Sequence, residues 1–130
     1  MMRPTENELS AVIADDDSAT RHALRLLLRE NGCARIWEAN DGERAVELCA
    51  RHLPDLAFID INMPKLDGHE AVRRIRDSNP TVGTIMITAL PTLDNVQKAL
   101  DAGVSGFVVK PFNAIKVAEA IRHCVRSPKQ

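Results

Sequence analysis

The sequence LAFID at residues 56–60 is a continuously apolar run that ends in a single carboxylate. Two other runs share this pattern: AVIADDD at residues 11–17 ends in three carboxylates, and FVVKP at residues 107–111 ends in a lysine and a proline. If these runs are parallel neighbours in one sheet, their carboxyl ends meet in a crevice, which is where open parallel sheets bind ligands. Such a crevice suits a divalent metal ion and a phosphoryl group.

The hydrophobic period switches repeatedly between strand and helix along the chain. It predicts strands at 9–14, 33–38, 55–60, 83–88 and 106–109, and helices at 18–31, 42–52, 67–78, 92–102 and 113–126. Ser18 is the candidate N-cap of the first helix, and Gly32 is predicted to end it. Five strand-helix units predict an α/β fold with a parallel sheet.

The composition of the strands predicts their order. The first, third and fourth strands are continuously apolar, as parallel strands covered on both faces are, whereas the second carries Arg35 and Glu38 and the fifth is short. The second and fifth strands are therefore the predicted edges, and right-handed crossovers favour the order 2-1-3-4-5. The winding then reverses between the first and third strands, which places residues 15–17 beside Asp60.

Length and charge restrict the class of protein. The 130 residues predict one domain at 9–126, with a polar tail at 1–8 and a short tail at 127–130. With 17 basic and 18 acidic side chains the formal charge is -1, so no bulk attraction to nucleic acid or to a membrane surface is expected. The apolar runs are too short to span a membrane and the N-terminus is polar, which predicts a cytoplasmic protein.

Each charged feature also has an ordinary explanation. An acidic run after a strand is commonly a helix cap with a solvated turn, and Asp60 taken alone has the same explanation. Lys110 before a proline is commonly an ordinary loop residue. Their joint placement argues for a site. Like charges about 4 Å apart repel by about 4 kcal/mol at an effective dielectric constant of about 20, and a hard cation such as Mg²⁺ or Mn²⁺ with oxygen ligands would relieve this repulsion.

The chain resembles the receiver domains of two-component response regulators over residues 9–126, and most closely the single-domain type that serves chemotaxis. The matching motifs, in order, are ADDDS at 14–18, FIDINMP at 58–64, LDG at 66–68, ITA at 87–89 and GFVVKPF at 106–112. The resemblance implies the flavodoxin-like, doubly wound fold with five parallel strands, five helices and the order 2-1-3-4-5.

The resemblance also implies the chemistry of the crevice. Asp60 would be the phosphorylated aspartate, and Mg²⁺ (or Mn²⁺) would be held by the carboxylates of Asp16 and Asp60, the main-chain carbonyl of Asn62 and, mostly through water, Asp15. A carboxylate can attack phosphorus to form an acyl phosphate. The donor would be a phosphohistidine on a sensor histidine kinase or a histidine phosphotransfer protein, so the chain is expected to be a signalling domain rather than an enzyme with its own substrate.

Residues around the crevice have predicted roles in charge compensation and readout. Lys110 would present a fixed ammonium to the phosphoryl oxygens, and the resemblance suggests a cis bond between Lys110 and Pro111. Thr88 can hydrogen-bond a new phosphoryl oxygen, and small Ala89 leaves room for its loop to approach. Phe107 is either a switch residue that turns inward or an ordinary aromatic of an edge strand. The predicted output surface comprises the fourth helix, fifth strand and fifth helix.

A partner surface is expected beside the crevice. Leu26 lies off the apolar arc of the first helix, near Ala19 and His22, on the flank where a kinase or phosphotransfer helix has to dock. Pro111 and Phe112 are the further residues predicted to contact that partner. The alternative for Leu26 is that it is a single exposed leucine, which needs no explanation. The downstream protein target is not indicated.

Two other classes of protein are alternatives to a receiver domain. A metal-dependent phosphatase or phosphotransferase of the haloacid-dehalogenase type needs a second carboxylate two residues after its nucleophile, and this chain has Asn62 there. A flavin-binding carrier on the same fold needs a phosphate cradle where this chain has an acidic loop, and Trp37 and three phenylalanines are the available ring-stacking residues.

Overall fold

Five β-strands and five α-helices alternate along residues 9–126, the part of the chain that the computed structural model describes. The strands are β1 (Leu9–Ala14), β2 (Cys33–Ala39), β3 (Leu56–Asp60), β4 (Gly83–Thr88) and β5 (Gly106–Val109). The helices are α1 (Ser18–Glu30), α2 (Gly42–His52), α3 (Gly68–Ser78), α4 (Leu93–Ala102) and α5 (Ala114–Arg126). These elements confirm the predicted ones to within one residue at each end. The predicted tails at 1–8 and 127–130 lie outside the described residues.

The strands form one parallel sheet in the order β2-β1-β3-β4-β5. Every residue of β3 is buried, and β1 and β4 are buried from their second residue onward, because helices cover both faces of these strands. In β2 the side chains of Arg35 and Glu38 are exposed, and β5 is four residues long. The predicted strand order and the predicted edges are therefore confirmed.

Alternation along the strands divides the core into two apolar clusters, one on each face of the sheet. Val12 and Ile59 pack with residues of α2, α3 and α4, whereas Ile13 and Phe58 pack with residues of α1 and α5. Because Ala14 pairs with Ile59, the carboxyl ends of β1 and β3 lie side by side at one edge of the sheet. Within residues 9–126, every helix falls short of the length and apolarity needed to cross a membrane.

The N-cap of α1 differs from the prediction by one residue, since it is Asp17 and not Ser18. The Asp17 carboxylate accepts hydrogen bonds from the Thr20 hydroxyl at 2.6 Å and from the Thr20 main-chain nitrogen at 3.2 Å. These bonds lower the pKa of the Asp17 carboxyl. Asp17 therefore serves the helix, as the ordinary explanation of the acidic run predicted, and leaves Asp15 and Asp16 for the crevice.

Candidate functional site

Three carboxylates converge where β1 and β3 end. Asp15, Asp16 and Asp60 each place a carboxylate oxygen within 4.8 Å of the other two. Asp15 is 1% exposed and Asp60 is 6% exposed, whereas Asp16 faces solvent. The structure therefore brings together the acidic residues that the sequence assigned to neighbouring strand ends, and it keeps two of them largely away from water.

Lys110 reaches the same crevice from the end of β5. Its Nζ donates to Asp15 Oδ2 at 2.9 Å and lies 3.4 Å from Asp60 Oδ1. The backbone there is held by a hydrogen bond from the Lys110 nitrogen to the Thr88 carbonyl oxygen at 2.8 Å, and the Lys110–Pro111 peptide bond is cis. The ammonium thus offsets part of the carboxylate repulsion, because it contacts both Asp15 and Asp60.

The surroundings of Asp60 favour its protonated form. Burial, together with the neighbouring Asp15 carboxylate, raises the pKa of the Asp60 carboxyl to about 6, although Lys110 opposes both effects. Near neutral pH the Asp60 side chain is still mostly ionised. The buried negative charge of Asp60 therefore destabilises the folded state.

In metal-free protein, Asp60→Asn is expected to be more stable than wild type at neutral pH. The folded-state pKa of about 6 lies above the ordinary value of 3.8, so ionised Asp60 destabilises the fold above pH 6. This penalty is relieved as the pH falls from about 6 toward about 4, where the folded state binds its proton first. The advantage of the variant at neutral pH should reach about 1–3 kcal/mol, since one pKa unit corresponds to about 1.4 kcal/mol.

Urea unfolding with a chelator at about pH 7.5 and about pH 4.5 measures this difference. The two proteins should converge at the lower pH. A wild type that is more stable than Asp60→Asn at neutral pH without metal would show that the Lys110 contact outweighs the desolvation of Asp60.

Thr88 ends β4 and is 1% exposed, so its hydroxyl lies inside the crevice wall. The Thr88 hydroxyl oxygen accepts a hydrogen bond from the Leu90 main-chain nitrogen at 2.9 Å. The Leu90 carbonyl oxygen in turn accepts from the Asn95 side-chain nitrogen at 2.9 Å, and Ala89 between them is exposed. Thr88 is thereby linked through its own loop to the first turn of α4, a linkage that sequence reasoning did not foresee.

Phe107 is half-buried on the edge strand β5. It pairs with Met86 of β4 and packs against the apolar cluster on the α2–α4 face. Phe107 also lines a hollow of about 390 Å³ between β5 and α5, together with Lys116 and His123. Phe107 therefore has packing partners inside and open space outside, which is compatible with either predicted role.

Close backbone packing holds the segment that carries Asp60. Gly68, the first residue of α3, lies so near the end of β3 that a Cβ there would be 2.2 Å from the Asp60 carbonyl oxygen. The Gly68 nitrogen also donates to the Ile61 carbonyl oxygen at 2.8 Å. Asn62, predicted to offer its carbonyl, is exposed directly after this segment. Sequence reasoning quoted Gly68 within a motif but assigned it no role.

An open groove of about 520 Å³ adjoins the crevice. Ala19, Pro111 and Phe112, three of the residues predicted to contact a partner, line it. Thr20, Ala23, Ala89 and Lys110 complete the lining. His22 and Leu26 lie outside the groove on the exposed surface of α1, where Leu26 is 52% exposed. Four of the seven lining residues have small side chains, and Thr20 and Ala23 were missed because neither carries a chemical signal in the sequence.

Comparison with known proteins decides the family. The sequence model of the response regulator receiver domain matches residues 11–122. The chain belongs to the response regulator receiver family. The chemotaxis protein CheY of Bacillus subtilis is 38% identical over 110 residues, which cover 85% of this chain and 92% of CheY. The chain is therefore a phosphoacceptor signalling domain, and the predicted family is confirmed.

Two further likenesses support this membership. The transcriptional regulatory protein PdtaR of Mycobacterium tuberculosis is 38% identical over 130 residues, which cover 96% of this chain but 63% of PdtaR, less than two thirds of its length. The structure of the signal receiver domain of the response regulator NarL from the same species superposes with a TM-score of 0.86 at 28% identity, covering 94% of this chain and 99% of that domain.

The two alternatives are not favoured by these findings. A receiver domain is a signalling domain, and Asn62 stands where a haloacid-dehalogenase-type enzyme needs its second carboxylate. Trp37, the candidate platform for a flavin ring, is already stacked on His52 with ring centroids 4.1 Å apart.

The donor set of the crevice fits a hard divalent cation. Asp15, Asp16 and Asp60 offer carboxylate oxygens, the ligands that Mg²⁺ and Mn²⁺ take in proteins, and sulfur or imidazole is absent from this cluster. One ammonium, that of Lys110, is paired within the cluster, so negative charge remains in excess. A cation of this class would therefore find there the oxygen ligands that it takes in other proteins.

Proposed function

We propose that Asp60 accepts a phosphoryl group from a phosphohistidine on a sensor histidine kinase or a histidine phosphotransfer protein. The observation that carries this assignment is the position of Asp60, a buried strand-end carboxylate facing Asp15, Asp16 and the ammonium of Lys110. An Asp60 carboxylate oxygen attacks phosphorus as the bond from phosphorus to the histidine nitrogen breaks. The bond's electron pair stays on the imidazole, and the product is an acyl phosphate.

In this proposal the carboxylates of Asp16 and Asp60, the Asn62 main-chain carbonyl and Asp15, mostly through water, hold Mg²⁺ or Mn²⁺. When bound, the cation neutralises the charge of the phosphoryl oxygens. The excess of carboxylates over ammonium in the crevice supports this assignment. The hydrogen bond from Lys110 Nζ to Asp15 Oδ2 orients the Asp15 carboxylate toward the crevice.

Lys110 serves the phosphoryl group directly. Its Nζ is 3.4 Å from Asp60 Oδ1, so it lies within reach of an oxygen attached to that carboxylate. A compact ammonium acts there as a point charge whose place is set by the backbone of β5. Lys110 thereby stabilises charge on the phosphoryl oxygens without any transfer of its own proton.

Thr88, Ala89 and Phe107 report phosphorylation to the surface formed by α4, β5 and α5. The Thr88 hydroxyl, whose oxygen accepts from the Leu90 nitrogen, donates its own proton in a hydrogen bond to a phosphoryl oxygen. The loop then moves toward Asp60, and Phe107 turns into the space that is vacated. The output surface carries exposed Leu93 and Leu100, which suit contact with a protein target.

The histidine-bearing partner docks on the groove beside the crevice. Ala19, Pro111 and Phe112 supply its apolar lining, and His22 and Leu26 extend the surface along α1. The small side chains of the lining leave room for a helix of the partner to approach Asp60 for direct transfer. Because kinases make phosphohistidine from ATP, the receiver at residues 9–126 acts in the cytoplasm, with no contact of its own to nucleic acid or membrane.

Acetyl phosphate with Mg²⁺ is expected to add one phosphoryl group to the protein, because a small acyl phosphate can replace the phosphohistidine as donor. Removal of the metal by a chelator should abolish the adduct, since the carboxylate repulsion in the crevice is then uncompensated. Intact mass measurement with and without chelator tests both statements. Equal labelling in the presence of chelator would contradict the role of the cation, and no labelling under any condition would contradict the phosphoacceptor assignment.

A further inference from the structure

The side chain of Arg21, on α1, is hydrogen-bonded to the backbone of the acidic loop at residues 15–17. Its Nη1 donates to the Asp15 main-chain carbonyl oxygen at 2.7 Å, and its Nε donates to Glu38 Oε1 at 2.8 Å. The Arg21 side chain is 19% exposed, so most of it is enclosed between α1 and β2. The guanidinium is therefore held at two points, one on an edge strand and one on the loop that carries two of the site's carboxylates.

The bonded carbonyl belongs to the peptide that joins Asp15 to Asp16. The Asp15 nitrogen is fixed to the Ala39 carbonyl oxygen at 3.1 Å, and the Asp15 carboxylate to Lys110. Asp16 is exposed, so packing does not orient its side chain. The direction of the Asp16 side chain depends on the plane of that peptide, and Arg21 holds the plane through its carbonyl oxygen.

We propose that Arg21 is a positioning residue for the metal site, holding the peptide between Asp15 and Asp16 so that both carboxylates face Asp60. This inference rests on the proposed function and deepens it. Arg21 touches neither the cation nor the phosphoryl group. It acts through the loop, in the way that outer partners orient the ligands of metal sites.

Glu38 holds the guanidinium of Arg21 in place. Glu38 accepts from Arg21 through Oε1 and from Arg25 through Oε2, the second also at 2.8 Å. Both arginines thus tie α1 to β2 in the same way, but Arg21 alone of this pair is bonded to the acidic loop. Arg25 is accordingly a matched control, because its removal loses a helix-to-strand ion pair and leaves the Asp15 carbonyl bond in place.

The sign of the effect separates positioning from charge. A guanidinium beside a cation site repels the cation, so a residue that acts by charge alone would make Mg²⁺ bind more tightly once it is removed. A positioning residue has the opposite effect, because the loop that it held presents its carboxylates less precisely. A residue that serves only the packing of α1 on β2 would change the unfolding free energy without changing the Mg²⁺ affinity.

The test is a calorimetric titration of Mg²⁺ into wild type, Arg21→Ala, Arg21→Lys and Arg25→Ala, with urea unfolding of each. We expect Arg21→Ala to bind Mg²⁺ about tenfold more weakly, the lower end of the range for residues that orient metal ligands. Arg25→Ala should stay within about twofold of wild type, although it loses a comparable ion pair. Arg21→Lys, which keeps a donor, should recover part of the loss.

Unchanged or tighter Mg²⁺ binding by Arg21→Ala overturns the inference, as does an equal loss in Arg25→Ala. If Arg21→Ala does not fold, Glu38→Gln replaces it, since it loosens the anchor of the guanidinium and should weaken Mg²⁺ binding in the same direction; no weakening there overturns the inference too. A wild type that binds no Mg²⁺ contradicts the proposed function itself, which distinguishes the two failures.

Discussion

Asp60→Asn is expected to yield no phosphoryl adduct with acetyl phosphate and Mg²⁺. An amide has the size of the carboxylate but lacks the anionic oxygen that attacks phosphorus, so the crevice stays intact while its nucleophile is lost. The metal-free fold should be retained or strengthened, because the buried charge at Asp60 is a cost to the folded state. The effect on labelling is therefore complete and is not explained by unfolding. Intact mass after incubation measures it.

Asp17→Asn is the matched control for this experiment. It removes one negative charge from the same acidic run, but Asn caps a helix as well as Asp does, so α1 keeps its N-terminus. Asp17 lies outside the cluster of three carboxylates, and this variant should be labelled as wild type is. Undiminished labelling of Asp60→Asn would falsify the assignment, and peptide mapping would then locate the residue that carries the phosphoryl group.

Gly68→Ala is expected to destabilise the fold by about 3 kcal/mol or more, at the upper end of the cost of overpacking. The added Cβ would lie 2.2 Å from the Asp60 carbonyl oxygen and 2.7 Å from the Ile61 Cα, both of them backbone atoms. Neither can rotate away, so the end of β3 and the start of α3 have to separate. The gain in helix propensity, about 1 kcal/mol at most, does not offset this.

Urea unfolding of Gly68→Ala measures this loss, and Gly106→Ala is its control. A Cβ at Gly106 would meet the Ile85 side chain at 3.4 and 3.9 Å, which is ordinary contact. That variant should stay within about 1 kcal/mol of wild type. We also expect Gly68→Ala to label more slowly at equal folded fraction, because the displaced backbone carries Asp60. A Gly68→Ala protein as stable as Gly106→Ala would show that α3 can shift without cost.

The fold followed from the sequence because its signals are local and agree with one another. Continuous apolar runs identify buried strands, polar side chains such as Arg35 and Glu38 mark an edge, and glycines such as Gly103 end helices. The strand order then needed the handedness of crossovers and nothing more. The N-cap of α1 was placed wrongly by one residue, since Asp17 and Ser18 are both good caps and only the backbone angles distinguish them.

The sequence by itself determined which residue types stand at the carboxyl ends of the strands, and hence that Asp15, Asp16, Asp60 and Lys110 share one crevice. That inference holds because a parallel sheet brings all its strand ends to one edge. The tertiary structure alone decided how the crevice is held. Lys110 donates a hydrogen bond of 2.9 Å to Asp15, which lies 95 residues away in the chain. This contact depends on how β5 lies against β4.

The contacts of Gly68 with Asp60, and of Arg21 with the Asp15 carbonyl, likewise come from the approach of α3 and α1 to the sheet. A glycine that opens a helix and an arginine on a helix both have common local explanations. Neither pattern therefore indicates a role at the crevice. Backbone atoms are identical at every position of the sequence, and only the fold decides which of them a side chain meets.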